Sequence, residues 1–594
     1  MSFQCHARTS ISTESDKMEC SRDEILTPRA IKRMVAEGHA IVIFEDLVLR
    51  LDSWLGRHPG GRLAILHMIG KDATDEMTVY HSAATLKTMK AFRIGRKPPG
   101  PWTNLTPPIR GGSYHEQEEV VVDATSGSIG KGPSPTPERS VNDENTTQTN
   151  LSPNIRRRTP TRAVSDPVPT ETVNIRQSPT EYVDSTVQQE INQDLQDYPS
   201  LDPAVQLNIT HKYRILHQKI RDRGLYNCAI SEYGKELARY VSLFVVSMVA
   251  LRHGWYMTSA AFLGLFWHQI MFTAHDAGHL AITHIFAVDT LIGLFIADFC
   301  CGLSLGWWKS SHNVHHLVTN HPVSSTKPIV VTSSLSLSLT VFQEHDPDIQ
   351  NVPLFATCPS FFRSTCSTYY DNFVFVWDAA AAFLVPYQRY TYYPIMGVAR
   401  FNLYLLSWLH VLSTRSSSLG RSKAWWIRPT EIAFICCYLF LYGYCLVWRA
   451  LPTWTIRVAF VLVSHVITMP LHVQITLSHW GMSTSELGDA ESFPQRQLRT
   501  TMDVDCPAWL DFIHGGLQFQ AVHHLFPRVP RHNLRKVQML VREFCDEVDI
   551  PYTILGFTDG NRKVLGRLEE VSEQLKNLVQ CQKYMAETGE SGLH

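Results

Sequence analysis

The sequence predicts a multi-domain chain. It opens with a small α+β unit, continues through a disordered linker and ends in an all-α membrane domain with about four transmembrane helices under a helical cap. Three observations carry this expectation. Residues 24–97 mix short alternating and helical patterns. Residues 110–203 turn to Ser, Thr, Pro, Asn and Glu with few aromatics. After residue 230, long apolar runs alternate with three histidine clusters.

At 594 residues the chain is too long for one compact core. Lys+Arg number 54 against Asp+Glu 55, a net charge of −1, so no basic excess points to nucleic acid. A hydrophobic content of 44% with a mean hydropathy of only −0.10 fits a membrane body diluted by polar segments. The 13 cysteines form no C-x-x-C pair, which argues for reduced thiols and against a disulfide framework. Residues 1–23 are polar without an apolar h-region, so no cleavable signal peptide is expected. Insertion then relies on internal segments.

Residues 110–203 hold too little apolar surface to offset the entropy of ordering them, hence the disordered linker. Ser134-Pro135, Thr159-Pro160 and Ser178-Pro179 lie within it. The membrane part, 230–560, is expected to contain two hairpins of crossings, 240–251 with 257–274 and 432–448 with 454–469. Each hairpin returns the chain to its starting side, so the histidine clusters that follow share one face. Residues 285–305 carry Asp289 and Asp298, costly at bilayer depth, and read as a buried or interfacial helix. The aromatic-rich stretch 372–412, with Arg389 and Arg400, reads the same way.

His58-Pro59-Gly60-Gly61 precedes Gly70-Lys71-Asp72-Ala73-Thr74 and then His81-Ser82. Two histidines 23 positions apart can ligate one haem iron from opposite faces if two helical turns pack around it. With the preceding Asp52-Ser53-Trp54-Leu55, this order resembles the cytochrome b5 family over residues 24–97. The resemblance implies haem b with axial ligands His58 and His81. Two strong axial imidazoles leave no open iron position, so such a haem passes single electrons and does not activate oxygen.

The three clusters are His275-Asp276-Ala277-Gly278-His279, His312-Asn313-Val314-His315-His316 and Gln520-Ala521-Val522-His523-His524. Histidines three or four positions apart project from one helix face. Imidazole suits iron, zinc and copper alike. A zinc hydrolase would need an H-E-x-x-H glutamate, which is absent here. More than six histidines imply two metals, and an attached one-electron donor implies redox-active ones; iron with dioxygen satisfies both. Asp276 reads as a partner of the metal-bound imidazoles and Asn313 as another such partner or a helix cap.

The constellation resembles the membrane fatty-acyl desaturase superfamily over residues 230–560. The fused haem module, and Gln520 in place of the third box's first histidine, resemble its front-end desaturases. Gly515-Gly516-Leu517-Gln518-Phe519-Gln520 with His523-His524-Leu525-Phe526-Pro527-Arg528 is close to their signature. Asp346-Pro347-Asp348-Ile349-Gln350, and His472-Val473-Gln474 leading into Ser478-His479-Trp480, look like the fungal sphingolipid Δ8-desaturases. The resemblance implies a cytosolic diiron cap with His275, His279, His312, His315, His316, His479, His523 and His524 as metal ligands. Gln520 would ligate weakly or hold a water. It further implies O2 as oxidant, NADH through an external cytochrome b5 reductase, a ceramide or other membrane lipid as substrate, and an endoplasmic reticulum membrane location with haem and diiron domains facing the cytosol.

One departure stands out. The family runs from Thr319-Asn320-His321-Pro322 almost directly into the equivalent of Glu344-His345-Asp346-Pro347, whereas 21 residues, 323–343, intervene here. They begin with Val323 (a GT codon) and end with Gln343, the pattern of a short in-frame intron left in the reading frame. Transcript sequencing tests this: mRNA retaining these codons rules it out.

The expected reaction is O2-dependent desaturation of the long-chain base of ceramide between carbons eight and nine. The runner-up is a Δ5/Δ6 acyl-lipid front-end desaturase. A lipid hydroxylase ranks lower because its boxes are spaced differently. From another class comes a non-catalytic haem-binding membrane protein, favoured only by the 323–343 insertion.

Overall fold

In this computed structural model the described residues are 22–112, 114, 177–322, 329–332, 338–370, 373–413 and 424–589. The N-terminal unit is an antiparallel sheet of β1 (Ile41–Phe44), β2 (Leu47–Arg50) and β3 (Arg93–Arg96), in that order. The Ile-Val-Ile-Phe of β1 is wholly buried, as β-branched and aromatic side chains on a pleated surface would be. Four helices complete the unit: α1 (Pro28–Ala36), α2 (Arg62–Leu66), α3 (Thr74–Tyr80) and α4 (Ala83–Met89). Thr27 and Ser82 cap α1 and α4 through their hydroxyls. His58 lies in the loop before α2 and His81 closes α3, so the two helices bring the rings together.

The C-terminal end of the expected linker is ordered. Helix α5 (Pro179–Asp197) starts with a capping box between Ser178 and Glu181. Its Tyr182 and Val183 join a core with Phe355, Phe361, Trp480 and the C-terminal helix Phe557–Thr588. Arg567 reaches Glu190 at 2.8 Å and Arg499 reaches Asp194 at 3.3 Å. Helix α6 (Pro203–Asp222) packs Ile209, Tyr213 and Leu216 against the helix Arg531–Val548. The cap therefore extends beyond 230–560 at both ends. Residues 115–176, with Ser134 and Thr159, lie outside the described residues.

Helices α7 (Ile230–Arg252) and α8 (Tyr256–Gly278) form the first expected hairpin, cross-tied where the Ser247 hydroxyl donates to the Ser259 carbonyl at 2.8 Å. Helix α9 (Phe286–Leu294) runs on through a π-helical turn to Cys300 and meets α10 (Leu305–Leu317) at 116°. Asp289 accepts from the Thr283 and His284 amides, and Asp298 from the Leu305 amide at 3.2 Å. Both carboxylates are buried and backbone-bonded, as a bent buried segment requires.

Among the described residues, three helical stretches are long and apolar enough to cross a membrane, or four if the bent α9–α10 pair counts as one: Ala379–Leu412, Ile427–Ala450 and Trp454–Leu477. The first falls within 372–412, the stretch read as buried or interfacial, whose length and composition also suit a crossing. It comprises α11 (Ala379–Leu384) and α12 (Gln388–Leu412), and the two arginines counted against it are satisfied by neighbours. Arg389 pairs with Glu569. Arg400 donates to the Cys301 carbonyl and the Tyr404 hydroxyl, both at 2.9 Å, and lies 4.4 Å from the Trp267 ring centroid. Neither helix of the first hairpin is in this set: α7 carries Lys235, Glu236 and Arg239, and α8 carries the polar His268 and Gln269.

Of the 323–343 stretch, β4 (Ile329–Thr332) and β5 (Ser338–Glu344) form an antiparallel pair, and β5 runs parallel to β6 (Thr365–Ser367). Its two ends meet: the Asp346 amide donates to the His321 carbonyl at 3.3 Å, and the His321 and His345 rings lie 5.1 Å apart.

Candidate metal centre

The haem module can be built from the backbone outward. His58 Nδ1 donates to the Gly61 carbonyl and His81 Nδ1 to the Met77 carbonyl, each at 2.9 Å. With the Nδ1 proton so committed, each Nε2 keeps its lone pair. The ring centroids stand 6.0 Å apart, room for one metal between two Nε2 atoms. Burial pushes His81 down to about 4, which keeps it a neutral ligand. Gly60 is needed sterically: a Cβ there would sit 2.9 Å from the His58 ring and 3.2 Å from the Asn313 amide nitrogen. The residues fit a haem.

The second site gathers eight imidazoles. His275 and His279 end α8, His312, His315 and His316 lie along α10, and His523 and His524 sit on the short helix Gln520–Leu525. His479 follows the helix Met469–Leu477. Ring nitrogens of His275, His279, His312 and His523 lie within 4.8 Å of one another, and so do those of His315, His479 and His524. His316 stands between the groups, 5.0 Å by ring centroid from His279 and stacked at 4.0 Å on His524. Its Nε2 lies 3.0 Å from His312 Nε2.

Nε2 of His275, His279, His523 and His524 and both ring nitrogens of His479 are buried without a hydrogen-bond partner. Orphaned buried nitrogens are costly unless something electrophilic takes their lone pairs. Burial among like imidazoles holds His479, His523 and His524 well below the ordinary histidine value, so they are neutral, as ligation requires. Two groups of converging lone pairs fit two metal ions.

Carboxylates and amides aim these rings. Burial pulls His315 down, but Asp346 and Asp348 override it and lift it to about 9. Asp346 Oδ2 accepts from His315 Nδ1 at 3.0 Å and from the Asn320 amide at 2.7 Å. Gln497 Oε1 accepts from His524 Nδ1 at 2.9 Å while its amide group donates to the His316 carbonyl. Asp503 accepts from the Ala521 amide, anchoring the first turn of the third box, and burial raises it to about 6. Trp308 stacks on His312 at 4.4 Å, and Gly278 makes room for it, since a Cβ there would lie 2.1 Å from the indole.

The remaining candidates fall in different places. Asp276 is 3.8 Å from His275 Nδ1, and its close partners are Arg531, at 2.7 Å, and Tyr233. Asn313 is no cap: it lies inside α10 and donates to the Gly60 carbonyl at 3.4 Å. Gln520 lines a small cavity with His275, His523, Leu517 and Arg531. Gln497 escaped the sequence reading because a lone polar residue far from a motif carries no local signal; Asn320 and Arg531 lie near the boxes but received no role, because their partners are set by the tertiary fold.

The haem module docks beside this centre. Lys71 lies 3.3 Å from Asp489, and burial with Arg496 and Arg110 nearby pushes it down to about 8. Arg110 donates to Glu486 at 2.6 Å, and despite burial His321 and Arg110 hold that carboxyl well below the usual range.

Residues 340–556 match the fatty acid desaturase family, and residues 27–97 match the cytochrome b5-like heme/steroid binding domain. A Delta 8-(E)-sphingolipid desaturase of Emericella nidulans is 45% identical over 578 residues, covering 96% of this chain and 98% of that protein. One from Kluyveromyces lactis is 44% identical over 575 residues, covering 94% and 95%. An acyl-lipid (9-3)-desaturase of Borago officinalis is 34% identical over 325 residues, covering 54% and 65%.

Proposed function

This chain belongs to the membrane fatty-acyl desaturases, in the cytochrome b5-fusion branch of the fungal Δ8-sphingolipid enzymes, and on that premise we propose that it places an E double bond between carbons eight and nine of the long-chain base of a ceramide. The convergence of eight imidazoles beside a fused haem module carries the reaction type. Likeness to sphingolipid desaturases along nearly the whole chain carries the substrate. The acyl-lipid relative matches only half of it, which ranks the Δ5/Δ6 reading second.

His275, His279, His312 and His523 would hold one iron and His315, His479 and His524 the other, with His316 beside both groups. When bound, the haem supplies single electrons and the iron pair supplies the O2-derived oxidant that removes two hydrogens from adjacent methylenes. The chain's own part is to keep its imidazoles aimed and dry. Asp346 and Gln497 fix the Nδ1 protons of His315 and His524, so that Nε2 faces inward. Trp308 and the buried walls exclude water from the ligands. Gln520 leaves its position beside His275 and His523 without a strong ligand. An NADH-dependent reductase would supply electrons to the haem that His58 and His81 hold, and the enzyme works in the endoplasmic reticulum membrane with both sites facing the cytosol.

Expression in a yeast that lacks Δ8 unsaturation, followed by mass spectrometry of sphingoid bases and fatty acids, tests this. A Δ8-unsaturated long-chain base is expected. New polyunsaturated acyl chains alone would transfer the assignment to the acyl-lipid reading, and no product from an iron-loaded protein would favour the non-catalytic one.

A further inference from the structure

The haem module does not merely lie near the histidine centre. Its α3 inserts Val79 into the buried cluster of Phe519, Val522 and Phe526 that surrounds the third box. Tyr80 packs on the same cluster, one residue before the axial candidate His81. The Tyr80 ring meets the His316 ring edge-on, with centroids 6.0 Å apart and planes at 86°. Its hydroxyl is buried without a hydrogen-bond partner. A buried phenol ordinarily finds a partner, so this side chain is placed for its ring and not for its hydroxyl. On the other side of the module, Asn313 holds the Gly60 carbonyl, and Lys71–Asp489 and Arg110–Glu486 close the polar seam.

We propose that Tyr80 is the bridging residue for electron transfer, its aromatic ring spanning the gap between the haem held by His58 and His81 and the metal centre entered at His316. This rests on the reading of both sites given above. Each transfer moves one electron: the haem iron goes from ferrous to ferric and one iron of the histidine centre from ferric to ferrous. No bond or proton moves, and the tyrosine ends unchanged.

The test uses the full-length, iron-loaded protein without O2. Its haem is reduced with half a mole of dithionite per haem, one electron each, and the ferrous haem absorbance is followed as it decays. Tyr80→Phe is expected to decay as the native chain does, and Tyr80→Leu an order of magnitude more slowly, with haem spectrum and midpoint potential unchanged in both. Hydrogen exchange along Thr74–Tyr80 is measured in parallel to report docking. Native-like decay in Tyr80→Leu overturns the proposal. So does equal slowing in both variants, which would assign the role to the hydroxyl, and so does slowing that tracks faster exchange, which would make Tyr80 a docking residue only. If the native chain itself shows no decay beyond that of His524→Ala, the two-site reading fails instead.

Discussion

The two histidine sites are built by opposite means. In the haem module, 24 consecutive residues from His58 to His81 supply both ligands, and backbone carbonyls three and four residues away aim them. In the membrane domain, the ligands come from α8, α10, the turn after Met469–Leu477 and the helix Gln520–Leu525. Side chains from still other segments aim them there: Asp346, Gln497 and Asp503. A site aimed by its own backbone is robust to distant change. One aimed by tertiary partners inherits the fate of every segment that touches it.

The sharpest break in the comparison is at the ligands. His315→Ala or His524→Ala should eliminate product while haem absorbance stays intact. His58→Ala or His81→Ala should abolish haem absorbance while non-haem iron remains. Haem retained in the latter pair sinks the axial assignment.

Next come the partners, where only the membrane site should respond. Asp346→Asn removes the carboxylate behind His315, and an outer partner of this kind typically carries roughly 10–100-fold in metal affinity or activity. Iron content and turnover should fall together, with the haem potential unchanged. Native iron content would show that α10 alone aims His315.

Arg531 tests how far the tertiary frame reaches. It binds Asp276, Thr273 and the Phe272 carbonyl at the end of α8 that carries the first box, and it reaches across to Glu236 on α7. Arg531→Met removes the cation beside the buried Asp276 carboxylate, and breaking a buried pair costs about 3–5 kcal/mol. Thermal unfolding should show this loss without any change in haem binding.

This contrast also explains what could be read from the sequence. The His-Pro-Gly-Gly loop and the three boxes announce themselves because ligand spacing is local. Asp346 surfaced only through resemblance, and Gln497 not at all, since they act from other parts of the chain. Charge counting could not show how the arginines of 379–412 are satisfied, because Glu569 and the Cys301 carbonyl are remote in sequence. Helix α5 was hidden for a like reason: Tyr182 and Val183 are its only buried side chains, and its ion pairs reach Arg567 and Arg499.

The smallest effects belong to positions beside the site. Gln520→His should retain partial activity, measured as product per iron, because it adds an imidazole at the edge of a filled ligand set. Deleting 323–343 should leave haem and non-haem iron at native levels, since the segment departs and returns at His321 and Asp346. Loss of iron on deletion would make that segment part of the site.

Counting iron on the purified full-length chain, with haem measured separately, tests the central claim most directly. Eight convergent imidazoles and one axial pair predict one haem and about two non-haem irons per chain, as a dinuclear site holds. A chain that binds haem but carries no non-haem iron, or fills the histidine centre with a single zinc, would contradict it.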